Sequence, residues 1–206
     1  KNNNSDDNIL IGNNAGENSE GDNNIIIGND SGKYNMQNFK SINNTNIGNI
    51  ILGNNTGNNN TGNQNIFLGN NVGNVNKGIN NLSIGNNSGY HNLYGSNNIF
   101  VGENSGFNNT NGKSNIYIGL NSGYSIGGDD NIIFGNNSGV NFQGNSNIFI
   151  GNESGKKSTI SSNNIFIGEK SGENCNGNNN IFIGNKAGFS DISTNSNNNI
   201  YTVNGI

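Results

Sequence analysis

The sequence predicts an all-β protein, a parallel β-solenoid (β-roll) of about twelve coils with 16–17 residues each. Two observations predict it. A motif of the form Asn-Ile-x-Ile-Gly-Asn-Asn-Ser-Gly recurs along the 206 residues. The short apolar runs within that motif consist of β-branched and aromatic residues, as strands prefer. A stack of similar coils needs such a register, because each residue then lies above its counterpart in the next coil.

The first Asn of each copy sets the length of the repeat. Successive copies start 16 or 17 residues apart, except for one interval of 25 between Asn24 and Asn49. We therefore predict a single domain over 1–206 with a loop insertion at about 34–47, because insertions in solenoids map to loops. The copies start at Asn8, Asn24, Asn49, Asn65, Asn81, Asn98, Asn115, Asn131, Asn147, Asn164 and Asn180, and a degenerate last copy starts at Asn199.

The composition favours turns and short strands over helices. The chain has 60 Asn and 33 Gly, no Pro, and only 29% hydrophobic residues. This composition alone would allow disorder, but a disordered chain has no need of a fixed repeat. Gly and Asn are poor helix formers and tolerate positive φ, so we place them at the corners of the coil. We also expect the repeated Asn at the strand start to form a ladder of side-chain amide bonds between coils.

Alternation within the strand predicts which residues form the core. Positions two apart share a face of a strand. We expect the two Ile positions that flank the middle residue to point inward, opposite the small residue before the second Gly of the motif. The predicted core ladder comprises Ile9, Ile25, Ile50, Ile66, Ile99, Ile116, Ile132, Ile148, Ile165 and Ile181.

The middle strand residue is then predicted to point outward, where a row of apolar side chains would exceed the exposed patch that a monomer tolerates. We therefore predict an oligomer interface, with three rods around a common axis as the favoured arrangement. A flattened coil that covers both strand faces within one chain is the alternative. The predicted interface residues are Phe67, Phe100, Tyr117, Ile133, Phe149, Phe166, Phe182 and Tyr201.

Residues with catalytic or ligand potential are few. His91, the single His, lies in Gly-Tyr-His-Asn, and we interpret it as a surface turn residue. Cys175, also in a predicted turn, is interpreted as a spectator, although an exposed thiol there could cross-link chains. Asp22 and the pairs Asp6-Asp7 and Asp129-Asp130 could supply oxygen ligands to Ca²⁺, but they fit turn formation better.

Other functional classes are disfavoured. The recurring Gly-x-x-x-Gly has no following Lys-Ser/Thr, so it is not a phosphate-binding loop. We find no Ser/His/Asp set and no paired carboxylates in a plausible cleft, and we expect no enzyme activity, catalytic residue, cofactor or metal site. A net charge of −4 argues against nucleic-acid binding. No apolar run reaches membrane-spanning length.

The motif also resembles a known family pattern. Segments such as 147–155 (Asn-Ile-Phe-Ile-Gly-Asn-Glu-Ser-Gly) and 180–188 (Asn-Ile-Phe-Ile-Gly-Asn-Lys-Ala-Gly) are similar to the β-solenoid shafts of phage tail fibres and to the heads of trimeric autotransporter adhesins. The repeat is longer than the usual adhesin-head repeat, and its mid-strand position is more aromatic. The resemblance implies a trimeric fibre on a virion or cell surface.

From these observations we expect a structural and adhesive fibre segment that forms a homo-oligomer, with a trimer favoured. Besides copies of itself, its binding partner would be a host-surface or glycan receptor. Two alternatives remain open at this point: a subunit of a self-assembling surface filament, and a solenoid that binds glycans or ice through a repeated polar face.

Overall fold

The structure, a computed structural model, describes residues 7–34, 48–125, 127–158, 162–189 and 197–202. In these residues the chain forms the predicted all-β parallel solenoid. The predicted insertion at 34–47 lies outside the described residues from residue 35 onward.

One parallel sheet runs the length of the solenoid, and each coil contributes one strand to it. The twelve strands follow chain order, and each pairs in register with the strand one coil later, for example Phe149 with Phe166 and Phe166 with Phe182. The strands are β1 Ile9–Ile11, β2 Ile25–Ile27, β3 Ile50–Asn54, β4 Ile66–Asn70, β5 Leu82–Ile84, β6 Ile99–Val101, β7 Ile116–Ile118, β8 Ile132–Phe134, β9 Ile148–Ile150, β10 Ile165–Ile167, β11 Ile181–Ile183 and β12 Ile200–Thr202.

Left-handed corners bend the rest of each coil, as the Asn and Gly content predicts. In the coil that contains β8, Asn137, Asn141 and Ser146 have φ of 51°, 57° and 57°. Asn is favoured in this conformation because its short polar side chain bonds locally. The glycine after each strand has a second role. A Cβ on Gly85 would lie 2.7 Å from the carbonyl carbon of Gly102 in the next coil, so only glycine allows the coils to stack there.

The predicted asparagine ladder is confirmed. The Oδ1 atom of the strand-start Asn in each coil accepts the backbone N–H of the strand-start Asn in the next coil, at 2.8–3.0 Å, for all eleven steps from Asn8 to Asn199. Many of the same amides also donate to a glycine carbonyl of the next coil, as Asn98 does to Gly112 at 2.8 Å. The position requires an uncharged side chain that accepts one hydrogen bond and donates another. Asn meets these requirements, whereas Asp would carry a buried charge and could not donate.

The core lies on the side of the middle strand residue. Ile51, Ile133 and the aromatic middle residues with described side chains are 0–1% exposed. Phe149, Phe166 and Phe182 stack with ring centroids 4.9 Å apart and interplanar angles of 3° and 6°, so in these coils one ring fills the narrow interior. The small residue before the second Gly is buried opposite, as expected, and several of its serines donate to the next coil, as Ser105 does to the Tyr117 carbonyl at 2.9 Å.

The predicted direction of the two strand faces is therefore wrong. The residues assigned to the core ladder lie on the outer face of the sheet, where Ile9 (51% exposed) and Ile132 (39%) are exposed and the others are half-buried. The residues that this correction concerns are Ile9, Ile25, Ile50, Ile66, Ile99, Ile116, Ile132, Ile148, Ile165 and Ile181.

The predicted interface residues are likewise not available to a second chain. Those with described side chains are buried within their own coil stack: Phe67, Phe100, Tyr117, Ile133, Phe149, Phe166 and Phe182. The side chain of Tyr201 lies outside the described part of the chain.

The second Gly of the motif explains why the middle strand residue points inward. A Cβ on Gly106 would lie 2.6 Å from Cδ1 of Phe100, so the ring occupies the space that a side chain would otherwise fill. Two apolar side chains per strand face outward because the middle residue already fills the interior, whose opposite wall is made of Gly and small residues such as Ser. The alternation of residues along the strand distinguishes two faces, and the packing of side chains determines which of them points inward.

Replacing one member of the asparagine ladder should be costly. In Asn131→Ala the backbone N–H of Asn147 loses its 3.0 Å acceptor and the Gly144 carbonyl loses its 2.9 Å donor, both buried or nearly so. We expect the free energy of unfolding to fall by about 2–4 kcal/mol in urea titrations. The control Asn136→Ala, at an exposed position of the same coil, should change it by less than about 0.5 kcal/mol. Equal effects of the two substitutions would contradict the role of the ladder.

At Val75 we expect a substitution to raise the stability of the protein. It has φ of 60°, a conformation that a β-branched residue adopts only under strain. Asn59 and Asn141 hold the corresponding corner in other coils, with φ of 55° and 57°. We expect Val75→Asn to raise the free energy of unfolding by about 1 kcal/mol, measured by thermal and urea unfolding. A lower stability would mean that packing of the Val75 side chain outweighs backbone strain.

Candidate assembly surface

Two parallel rows of aliphatic side chains form the outer face of the sheet. They come from the first and third residues of β1–β11, and we call them the outer strand face. Several members are strongly exposed: Ile9 51%, Ile11 57%, Ile27 36%, Ile132 39%, Phe134 50%, Ile150 40% and Ile183 41%. Each row repeats at the strand spacing of about 4.8 Å, so the face is flat, regular and continuous along the described coils.

No charged residue interrupts these rows, because the first and third residues of every strand from β1 to β11 are Ile, Leu, Val or Phe. Leu120 and Ile79, both 42% exposed, are further apolar residues on the outside of the coils. At roughly 50 Å² per side chain, two residues from each of eleven strands expose about 1,000 Å². The largest apolar patch of a typical monomer is 300–600 Å², whereas one side of a standard interface buries about 800 Å². The outer strand face is therefore the candidate functional surface.

Two residues of the coil of β8 differ from their counterparts in other coils in a way that indicates which strand face is inside. In the coil of β8 the middle residue is Ile133, smaller than the usual aromatic ring, and Phe142 enters the core from the opposite wall at 0% exposure. Phe142 meets Phe149 edge-on with centroids 4.9 Å apart. A large residue that appears where the middle residue becomes smaller is a volume exchange. This exchange was the available signal that the middle residues face inward.

Tyr117 belongs to this core and not to a reactive site. Burial raises the pKa of its hydroxyl far above the usual value, although the nearby Asn131 amide acts in the opposite direction. The hydroxyl forms no well-oriented hydrogen bond within the described residues, and the Tyr117 ring stacks with Phe100 at 5.2 Å. It therefore replaces phenylalanine in an otherwise equivalent position.

His91 lies in an exposed turn, as predicted. Its Nδ1 atom is 3.0 Å from Oδ1 of Asn108, and its ring meets those of Tyr90 and Phe107 edge-on, with centroids 4.6 and 5.6 Å away. These neighbours are a surface amide and two aromatic rings, so they provide no group that would activate His91 as a catalytic base.

The aspartates adopt turn conformations. Asp7 and Asp130 have φ of 58° and 61°, and Asp129 accepts the backbone N–H of Lys113 at 2.8 Å; Asp6 lies outside the described residues. Within the described ranges, no three His, Cys, Asp or Glu side chains come together as metal ligands would. None of the described segments forms an apolar helix of membrane-spanning length.

A second surface runs along the corner that follows the second Gly of each motif, and we call it the turn ridge. It carries ion pairs in two places: Lys33 contacts Glu17 at 3.0 Å, and Lys156 contacts Glu153 at 2.6 Å. The hydrogen bond from Lys156 holds the pKa of Glu153 below its usual value. In the middle coils the ridge instead carries three aromatic residues, Tyr90, Phe107 and Tyr124.

Comparisons with family models, with curated proteins and with solved structures find no match to this chain. The chain's own surfaces are therefore the guide to its function.

Cys175 is buried at 0% exposure, so its thiol is not exposed for the cross-linking between chains that was the alternative to a spectator role. We expect the native thiol to react with a disulfide reagent such as DTNB only when the coil opens, because the thiolate must be accessible to attack. The reaction should become fast in denaturant at the same concentration that abolishes the far-UV circular dichroism signal. Rapid stoichiometric labelling of the native protein would place Cys175 outside the core.

Proposed function

We propose that this chain is a rigid structural segment of an extracellular or virion fibre, and that it assembles with copies of itself through the outer strand face. The observation that carries the proposal is the row of uncharged, exposed apolar residues on the outer strand face, whose area we estimate at about 1,000 Å². A protein that remained monomeric would leave this face in water.

Rigidity follows from how the coils are joined. Backbone hydrogen bonds link successive coils at the strand and at the corners, as at Ile99 to Asn115 (2.8 Å), Asn104 to Asn86 (2.9 Å) and Gly106 to Ser122 (3.0 Å). Bending the rod would stretch several of these bonds at once. A shaft must transmit position and force over its length, and this bonding suits that role.

A parallel trimer is the arrangement that we favour. In it, each chain packs its first outer row against the second outer row of its neighbour. That contact is heterologous and closes into a ring of three. The resemblance of the motif to phage tail-fibre shafts and trimeric adhesin heads supports the same arrangement and an extracellular or virion location. The working partner would be a receptor on a target surface, engaged by many weak contacts together.

The test is the mass of the protein in solution. We expect sedimentation equilibrium to give three times the chain mass for the native protein. The double variant Ile150→Lys/Ile183→Lys should be monomeric, because it places two cations within the apolar contact. Both side chains are about 40% exposed in the single chain, so the coil should tolerate lysine, and circular dichroism checks the fold.

The matched control adds the same charge away from the outer strand face. Asn18→Lys/Asn141→Lys changes two exposed corners with φ of 55° and 57°, a conformation that Lys157 adopts naturally at 58°. The control should keep the native mass. A monomeric native protein would refute the assembly, whereas a stable dimer would retain the surface and refute the trimer.

A further inference from the structure

A groove of about 300 Å³ opens beside the turn ridge where its aromatic stack ends. Tyr90 stacks on Phe107 with centroids 5.3 Å apart, and Phe107 stacks on Tyr124 at 5.1 Å, with interplanar angles of 6° and 7°. The next coil places Val140 at the equivalent position. Because valine is smaller, no fourth ring covers Tyr124, and Tyr124 and Val140 both line the groove.

A row of amides forms the other wall. Asn104, Asn121 and Asn137 line the groove, and each lies one coil above the previous one. The Nδ2 atom of Asn104 donates to Oδ1 of Asn121 at 3.1 Å, and that of Asn121 donates to Oδ1 of Asn137 at 3.0 Å. Each such bond uses one of the two N–H groups and one lone pair, so donors and acceptors remain along the row.

We propose that this groove binds one pyranose ring of a neutral polysaccharide. A pyranose presents a face of C–H groups and a rim of hydroxyls. The C–H face meets the electron-rich face of the Tyr124 ring, while the hydroxyls exchange hydrogen bonds with the amide row. The Tyr124 ring, the Val140 side chain and the amide row together match both parts of the sugar.

Charge selects neutral ligands. The groove is lined by three Asn, one Tyr and one Val, with no Asp, Glu, Lys, Arg or His among them, and the ion pairs of the turn ridge lie in other coils. A nucleic acid could also stack on tyrosine, but its phosphates need Lys or Arg beside the stacking ring. The groove supplies none, so a neutral glycan is the better fit.

The site also explains a local choice of residues. At the same ridge position, other coils use ion pairs or Asn, as with Lys33, Asn58 and Lys156, so stacking is not required to close a coil. Aromatic residues here coincide with the uninterrupted amide row from Asn87 to Asn137. Both features occupy the same coils.

The experiment is saturation-transfer NMR of the whole chain with malto-, cello-, xylo- and N-acetylchito-hexaose as probes, followed by titration of any that bind. We expect one of these neutral oligosaccharides to bind with a Kd in the millimolar range, as suits a single shallow subsite whose strength comes from repetition. Tyr124→Ala should weaken binding by about tenfold or more.

Val140→Phe is the sharper variant, because it continues the stack and fills the groove without removing a contact. Phe107 already occupies the equivalent position, so the thermal midpoint should stay the same or rise while binding is lost. The control Tyr94→Ala removes a tyrosine that is 56% exposed and does not line the groove, and it should leave binding unchanged.

Three results would overturn the proposal: no binding of any of the four probes, unchanged binding in Val140→Phe, or stronger binding of oligothymidylate or oligogalacturonate than of the neutral sugars. The result is independent of assembly. Val140→Phe should keep the oligomeric mass, and the Ile150→Lys/Ile183→Lys variant should keep the affinity of each site.

Discussion

The hydrogen-bonded register between successive coils is the constraint on which the rest of the structure depends. Every coil must present the same groups at the same place, because the strand-start Asn of one coil accepts from the backbone of the next at 2.8–3.0 Å throughout. This bond is buried, so a coil that lost it would leave a buried polar group unsatisfied. The register in turn aligns like side chains along the rod.

Alignment of like side chains produces both the core and the surfaces. Inside, it stacks the middle strand residues, most of them aromatic, against glycine, so a protein with 29% hydrophobic residues still has a packed interior. Outside, it turns two apolar residues per strand into a continuous apolar face. On the turn ridge it converts three separate aromatic residues into a stack that ends at Val140. The proposed assembly and the proposed glycan groove thus arise from one geometric rule applied to different positions.

The two proposed surfaces occupy different parts of the coil. The outer strand face is apolar and long, which suits a permanent contact between copies. The groove beside Tyr124 is small, polar on one wall and restricted to the middle coils, which suits a weak contact that multiplies with the number of chains. An assembled shaft would therefore keep its grooves open to a target while its outer strand faces are covered.

The sequence by itself determined the repeat, the left-handed corners and the asparagine ladder, whereas the structure decided that each coil carries one strand. These depend on residue types that few conformations accept, such as Gly85 against the next coil and Asn131 between two coils. Tertiary structure alone decided which strand face is inside, because both faces are apolar and alternation gives no direction. The middle residue points inward because its ring, as in Phe100, packs against a glycine, here Gly106. The candidate interface therefore consists of the outward first and third strand residues and not of the aromatic residues. The groove was equally hidden from the sequence, because Tyr124, Val140 and the three asparagines come together only when the coils are stacked.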